Sequence, residues 1–474
     1  MRLSSSVLAL ALAAASTLSL PTTAQAPSPD LAQQILKQLI ETNTTDAMGT
    51  TKAARAMEQR LLAAGFPRAD VQVVGANPNK MNLVARLRGT GAKPPILLIG
   101  HLDVVQARRQ DWSTDPFQLV TRDGVYYGRG TQDMKDGDAI FMATLIHMKQ
   151  SGYKPDRDII LALTAAEEGG TDNGVRYLLA SHRDLIQAAY VLNADGGGVD
   201  AVKGKPLYLG VEATEKLYAD FQFSTANPGG HSSLPRPDNA IYDLTSALER
   251  VHHYTFPVEL NSVTRGFFAA RARLDHGQLA ADELTMSGAA PTAAAARRLS
   301  QNPDLNALLR TTCVATRLSA GDANNALPQN AEAIVNCRIL PGHSAREIQQ
   351  QLTSLVANPK VKIEYMSDDG VLHAEAPTVV SNPPVALSPD VMDPLRRLTA
   401  AMWPGLTVVP EMEAGATDGK YTNAAGMPTY ALAGIQLDED NIRAHGRDED
   451  MPIAAFNKGF EFYYRYLTLL TGGK

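Results

Sequence analysis

The run Ile159-Ile-Leu-Ala-Leu-Thr-Ala-Ala-Glu-Glu constrains the fold most. Ile159 to Thr164 has strand length and shows no polar alternation, the pattern of a strand buried on both faces. Such strands belong to mostly parallel sheets covered by helices. The run closes on two adjacent carboxylates, Glu167 and Glu168. Paired carboxylates at a strand's end repel each other, and desolvating them is costly unless a cation or proton compensates. One can ligate a metal while its neighbour stays free to move a proton.

The flanking sequence supports an α/β fold. Asn82-Leu-Val-Ala-Arg-Leu and Pro95-Ile-Leu-Leu-Ile-Gly are predicted strands, as is Ala189 to Leu192. Helices are predicted over Leu31 to Ala64, with Gly65 as its stop, and over Ala139 to Met148. In such sheets ligands collect beyond the carboxyl ends of the strands. His101-Leu-Asp103 follows one predicted strand, Glu167-Glu168 another and Asp195 a third.

The pattern changes after about Glu212. Leu217 to Ser224 has period two, Asn239 to Val251 is helical, and a polar, alanine-rich stretch runs from His276 to Leu309. Strands follow near Cys313 and Cys337, then a helix over Ser344 to Val356 and a strand over Val361 to Tyr365. This segment is α+β in character and reads as an insertion. The first style returns from about Thr378, with a helix Val391–Met402, strands Leu406–Val409 and Thr429–Ala431, and a helix Ile453–Leu470. The expected division is a leader 1–24, a first domain split into 25–212 and 377–474, and an inserted domain 213–376. An interrupted domain would bring His445 back to His101.

Arg2, the apolar stretch Val7 to Leu20 and Pro21-Thr-Thr-Ala-Gln-Ala form the pattern of a secretory signal. Cleavage is expected after Ala24 rather than Ala26, because Pro27 directly after a cut would hinder the peptidase. The apolar stretch is shorter than the ~20 residues of a spanning helix, which argues against an anchor. The expected location is therefore outside the cytoplasm, periplasmic or secreted. A formal charge of -6 and the lack of any Lys/Arg run argue against nucleic-acid binding. Cys313 and Cys337 sit in strand-like segments equidistant from Asn325, so antiparallel pairing could place them face to face. A disulfide and two buried thiols both remain open, whereas a tetrahedral thiolate zinc site is excluded by the cysteine count.

His101-x-Asp103 fits a metal ligand and its orienting partner, since a ligating imidazole usually donates its other N–H to a carboxylate or carbonyl. Asp133 lies in Gly128-Arg-Gly-Thr-Gln-Asp-Met-Lys, which lacks the third glycine and the strand-to-helix setting of a dinucleotide loop. An aspartate there can place one oxygen on each of two metals, and cations ~3.5–4 Å apart need such a bridge. Ser232 and Ser233 follow His231, but no G-x-S-x-G elbow accompanies them, which argues against a serine hydrolase.

Taken in order, these blocks resemble zinc-dependent metallopeptidases of the M20 family. They are His101-Leu-Asp-Val-Val, Trp112-Ser-Thr-Asp-Pro-Phe, Gly128-Arg-Gly-Thr-Gln-Asp-Met-Lys, Thr164-Ala-Ala-Glu-Glu-Gly-Gly, Gly229-Gly-His-Ser-Ser, Asn325-Ala-Leu-Pro, Gly415-Ala-Thr-Asp-Gly and Ala444-His-Gly. Asn302-Pro-Asp-Leu-Asn-Ala-Leu-Leu-Arg, with Val335-Asn-Cys-Arg-Ile-Leu-Pro-Gly, is similar to the subgroup of carboxypeptidase S and the N-acyl amino-acid hydrolases.

The resemblance implies a mostly parallel-sheet di-zinc peptidase domain with an inserted α+β lid. It implies that His101 and Asp195 hold one zinc, that Glu168 and His445 hold the other, and that Asp133 bridges them; cobalt or manganese also suits such ligands. Glu167 is the implied general base, Asp103 the group orienting His101, and His231 the group polarising the scissile carbonyl. Asn325, Arg338 and Gly415 are the implied holders of a substrate carboxylate. Two departures are Asp195-Gly-Gly, where carboxypeptidase S-like chains tend to have Glu, and Lys420, where some relatives carry Arg.

The expected activity is release of a C-terminal amino acid from a dipeptide or short peptide, with N-acyl amino-acid hydrolysis as the alternative. A non-catalytic peptide-binding protein is the reading from another class, and retention of Glu167 with the full ligand set argues against it. A homodimer through the lid is the expected assembly.

Overall fold

The computed structural model describes residues 26–169, 171–380 and 383–472. The leader assigned to 1–24 lies outside them. Among the described residues no helix is long and apolar enough to cross a membrane.

The predicted buried strands assemble into one large mixed sheet. Its order is Val71–Val74, Asn82–Leu87, Ile159–Thr164, Ile96–His101, Tyr190–Asn193, Thr429–Ala431, Lys205–Glu215, Gly198–Val202 and Gln436–Asp438; Thr407–Glu413 also pairs with Lys205–Glu215. The centre is parallel: Ile96–His101 runs alongside both Ile159–Thr164 and Tyr190–Asn193. Both faces are covered, as the unbroken apolar runs require. Ile96 and Leu98 enter one core with Ile159 and Leu161, while Leu97 and Ile99 enter another with Ile160 and Ala162. Helices Asp30–Ile40, Lys135–Gln150 and Ile453–Thr471 pack together over the first core, and Gly174–Ser181 covers the second through Leu178.

The single helix predicted over Leu31 to Ala64 is two helices, Asp30–Ile40 and Thr51–Ala63. The break has local causes. Asn43 Oδ1 accepts the amide of Thr45 at 3.0 Å, a turn that competes with helix. Gly49 adopts φ +69, and a Cβ there would stand 2.1 Å from Asn79 O.

A second sheet is entirely antiparallel, in the order Thr312–Ala320, Asn330–Ile339, Leu217–Ala226, Val361–Met366 and Leu372–His373. Helices Ala240–His253 and Ala345–Val356 pack on it through Leu244, Val251, Ile348 and Leu352. Cys313 faces Cys337 in the strand register, and a disulfide joins them. The chain leaves the large sheet at Glu215 and returns at Thr407, in strands that are parallel neighbours. The second sheet is thus an insertion into the first fold.

The alanine-rich stretch His276 to Leu309 forms helices Gly277–Ser287, Ala293–Leu299 and Pro303–Leu309. With Ser262–Arg271 they bury Phe268, Met286, Leu299 and Leu309 against Tyr208 and Val409. This helical excursion therefore packs on the large sheet before the chain re-enters the small one.

Candidate metal centre and active site

The parallel strands deliver their carboxyl ends to one cleft. His101 ends its strand and pairs in register with Thr164, three residues before Glu167. Asp195 follows the neighbouring strand Tyr190–Asn193. Asp133 precedes the helix Lys135–Gln150, and His445 arrives from the C-terminal loop. Asp133, Glu167, Glu168, Asp195, Gly415 and His445 all line a cavity of about 510 Å3.

The Asp133 carboxylate is set between the two imidazoles. Its Oδ1 lies 3.1 Å from His101 Nε2 and its Oδ2 lies 3.0 Å from His445 Nε2. Asp195 Oδ2 is 3.9 Å from His101 Nε2, and Glu168 Oε2 is 2.9 Å from His445 Nε2. The group His101, Asp133 and Glu168 and the group His101, Glu167 and Asp195 each bring ligand atoms within 4.8 Å of one another. His101 Nε2 and Asp133 Oδ1 are buried without a hydrogen-bond partner. Two orphaned atoms aimed at each other fit a cation rather than a core, because buried polar groups otherwise find partners. Imidazole and carboxylate ligands in this number suit zinc and also cobalt or manganese.

The backbone around these candidate ligands is strained and held. Ala166 and His445 adopt φ +56 and +63, conformations that cost L-residues roughly 1–3 kcal/mol. Asn173 Nδ2 donates to Ala166 O at 3.3 Å and to Asp418 Oδ1 at 2.6 Å. Asp418 Oδ2 in turn accepts Thr164 Oγ1 at 3.0 Å, tying the end of the strand to the same network. The Asp103 carboxylate accepts the amides of Glu167 at 3.2 Å and Glu168 at 3.0 Å. His101 Nδ1 meets Asp103 O at 3.0 Å, while the carboxylate stands 3.9 Å away. Asp103 thus orients His101 with its carbonyl and orients the two glutamates with its carboxylate. The sequence pattern led to the pair and left carbonyl and carboxylate both open as the partner of His101.

Electrostatics bind the cluster together. Burial opposes the charged form of His101, yet the Asp133 carboxylate 3.1 Å away, with the charges of Glu167 and Asp195, holds its pKa well above the usual value. Hydrogen bonds to Asp133 and Glu168 raise His445 to about 10. Burial, reinforced by the charge of Asp133, pushes Asp195 up to about 8. Glu167 is also pushed well above the carboxylate range, first by burial and then by Asp195, Asp418 and Glu168. A set of this kind shares protons when metal-free and releases them to a cation.

The remaining candidates stand elsewhere. His231 is exposed on the short pair Gly230–His231 and Ala326–Leu327, its Nδ1 2.7 Å from Ser233 Oγ. Asn325 O accepts the amide of Ser232 beside it. Arg338 lies in the strand Asn330–Ile339, its guanidinium 4.7 Å from the Tyr218 ring centroid. None of the three is among the described residues lining the cleft. Sequence reading missed Arg129, Gln132 and Glu449, which join the loops of Asp133 and His445. Their only signal is nearness in sequence to a candidate ligand, since their partners lie more than three hundred residues away.

A profile described as Peptidase family M20/M25/M40 matches residues 97–469. The chain is 28% identical over 389 residues to the probable carboxypeptidase S-like 2 of Dictyostelium discoideum, covering 79% of this chain and 71% of that one. It is 27% identical over 382 residues to the human N-fatty-acyl-amino acid synthase/hydrolase PM20D1, covering 79% and 73%. Among solved structures, the M20 family metallo-carboxypeptidase Sso-CP2 from Sulfolobus solfataricus superposes with a TM-score of 0.69 at 17% identity, covering 93% of this chain and 99% of that one.

Proposed function

The chain belongs to peptidase family M20/M25/M40, and on that premise we propose a two-cation hydrolase that releases a C-terminal amino acid from a dipeptide or short peptide. The observation that carries this reading is the Asp133 carboxylate, with one oxygen facing His101 and the other facing His445. His101 and Asp195 would hold one cation and Glu168 and His445 the other, with Asp133 common to both. Bound there, divalent cations supply Lewis acidity and make water a stronger nucleophile at neutral pH.

The protein's own residues do the rest. Glu167 lines the cleft beside this set and takes the proton from the attacking water. It then gives that proton to the leaving amine, so water adds across the amide and the products are a carboxylate and an amine. Burial, with the charges of Asp195, Asp418 and Glu168, favours a protonated Glu167, which suits it to hold the proton destined for the leaving amine. Asp103 keeps Glu167 and Glu168 in register through their amides.

Hydrolysis of N-acyl amino acids is a second reading, and one feature favours it. A cavity of about 250 Å3 opens between the two sheets, lined by Leu217, Tyr218, Tyr365, Val379, Val380 and Tyr421. Lys420 also lines it and is near enough to Glu167 to feel its charge. An apolar group held there beside a carboxylate near Lys420 describes an acylated or apolar amino acid.

The disulfide supports export, because such bonds persist in oxidising compartments. The strand Thr312–Ala320 exposes Val314 and Leu318 at the edge of its sheet, which supports pairing with a second copy. Dialysis against a chelator followed by zinc return, assayed on dipeptides and N-acyl amino acids, tests the activity. Loss and recovery of turnover is expected; turnover that survives chelation overturns the mechanism.

A further inference from the structure

We propose that Arg129 and Glu449, with Gln132, form a buried clamp that positions His445 against Asp133, and that this clamp selectively sustains the cation half built on Glu168 and His445. The proposal rests on the two-cation reading. Arg129 is 2% exposed and Glu449 fully buried. Their Nη1 and Oε2 atoms meet at 2.5 Å across 320 residues of sequence. Glu449 Oε2 also accepts the amide of Gly130 at 3.2 Å, and its Oε1 accepts those of Gln132 at 2.7 Å and Asp133 at 3.2 Å. One carboxylate therefore holds the backbone up to the bridging aspartate.

The arginine faces the other loop. Its Nη2 donates to His445 O at 3.2 Å and to Gly446 O at 2.9 Å, and its guanidinium lies 5.1 Å from the buried Trp112 ring centroid. Gln132 adds a second tie: Nε2 donates to Asn441 O at 3.0 Å and Asp450 O at 2.8 Å, and Oε1 accepts the amide of Arg443 at 2.7 Å. The clamp thus holds His445 in its left-handed conformation from both flanks.

A buried ion pair is a poor device for stability alone, because desolvation consumes much of its Coulomb energy. A planar guanidinium that spans a carboxylate and two carbonyls is a good device for fixed geometry. The two cation halves depend on it unequally. His101 ends a strand paired on both sides and Asp195 follows its neighbour, so the sheet itself sets their separation. His445 belongs to no strand or helix and is held by the clamp.

The test is cobalt titration of the full chain after chelator treatment, read by visible absorption and by metal count. The parent chain is expected to bind two equivalents. Arg129→Lys keeps the charge but cannot span all three oxygens, and Glu449→Gln removes the negative partner. Each is expected to take the first equivalent at parental affinity and the second about 10–100-fold more weakly, the usual scale for groups that orient ligands. Two equivalents bound at parental affinity by both variants would overturn the proposal, as would equal weakening of both steps. If Glu449→Gln fails to fold, Arg129→Lys decides by the same criteria. Fewer than two equivalents on the parent chain overturns the two-cation reading itself and the clamp with it.

Discussion

Glu167 and Glu168 are chain neighbours with different surroundings. Glu168 reaches His445, while Glu167 stands with His101 and Asp195. That second grouping makes Glu167 a possible ligand as well as a base, and one substitution separates the roles. Glu167→Ala should lower kcat by about 10²–10⁴-fold, the range of general acid–base catalysis, with both cations retained by elemental analysis. Loss of a cation in that variant would mean that Glu167 ligates and that the two glutamates exchange roles. The residues that converge on the cleft were legible as candidates in the sequence because each follows an apolar run or sits in a glycine-flanked loop. Glu449 was not: its acceptor role depends on the amides of Gly130, Gln132 and Asp133, which only the fold brings near. Asp103 was half legible, since spacing identifies a partner for His101 but does not choose between its carbonyl and its carboxylate.

At the scale of elements, strands buried on both faces were the most readable. Ile159–Thr164 and Thr429–Ala431 have the predicted bounds. Lys205–Glu215 and Gly198–Val202 went unread because glycines and polar residues interrupt them; they pair with each other as a hairpin, and distant strands supply only their outer partners. The hairpin of Thr312–Ala320 and Asn330–Ile339 carries the disulfide across a separation of 24 residues. For a loop of that length the chain-entropy contribution is about 3 kcal/mol. Replacing both cysteines with alanine should lower stability by up to that amount in chemical denaturation while leaving metal stoichiometry unchanged.

His343 supplies a pH dependence at the same scale. Its Nε2 lies 2.8 Å from Glu259 and its Nδ1 lies 3.2 Å from Glu347, joining a loop to the first turn of helix Ala345–Val356. The hydrogen bond with Glu259 is the largest cause raising its pKa above the ordinary histidine value. A group raised in the folded state adds stability below its unfolded pKa of about 6.5 and loses it as pH climbs through the folded value. The Tm gap between the parent chain and His343→Gln should therefore be widest below pH 6.5 and close as the medium becomes alkaline. A gap that widens with pH would contradict this assignment.

For the molecule as a whole, the α/β class was legible because unbroken apolar runs mark the central strands, and the period-two segment Leu217 to Ser224 marks the change to a second sheet. The helical excursion from Ser262 to Leu309 was not, since its composition carries no mark of which sheet it covers. His231, Asn325 and Arg338, whose roles came from resemblance alone, stand on the second unit, off the lining of the cleft. At this scale the candidate ligands converge: side chains from the ends of three neighbouring strands and from the C-terminal loop meet around Asp133. If the cavity between the sheets takes the acyl group, Tyr421→Ala should raise KM for N-acyl amino acids more than for small polar dipeptides in steady-state assays. Equal changes for both would remove the cavity from the substrate path. The most direct test of the central claim is diffraction at the zinc absorption edge from crystals of the zinc-loaded protein. Two anomalous peaks about 3.5–4 Å apart, one on each side of the Asp133 carboxylate and the second within reach of His445, are the predicted result. A single peak, or a pair that leaves His445 unliganded, would contradict it.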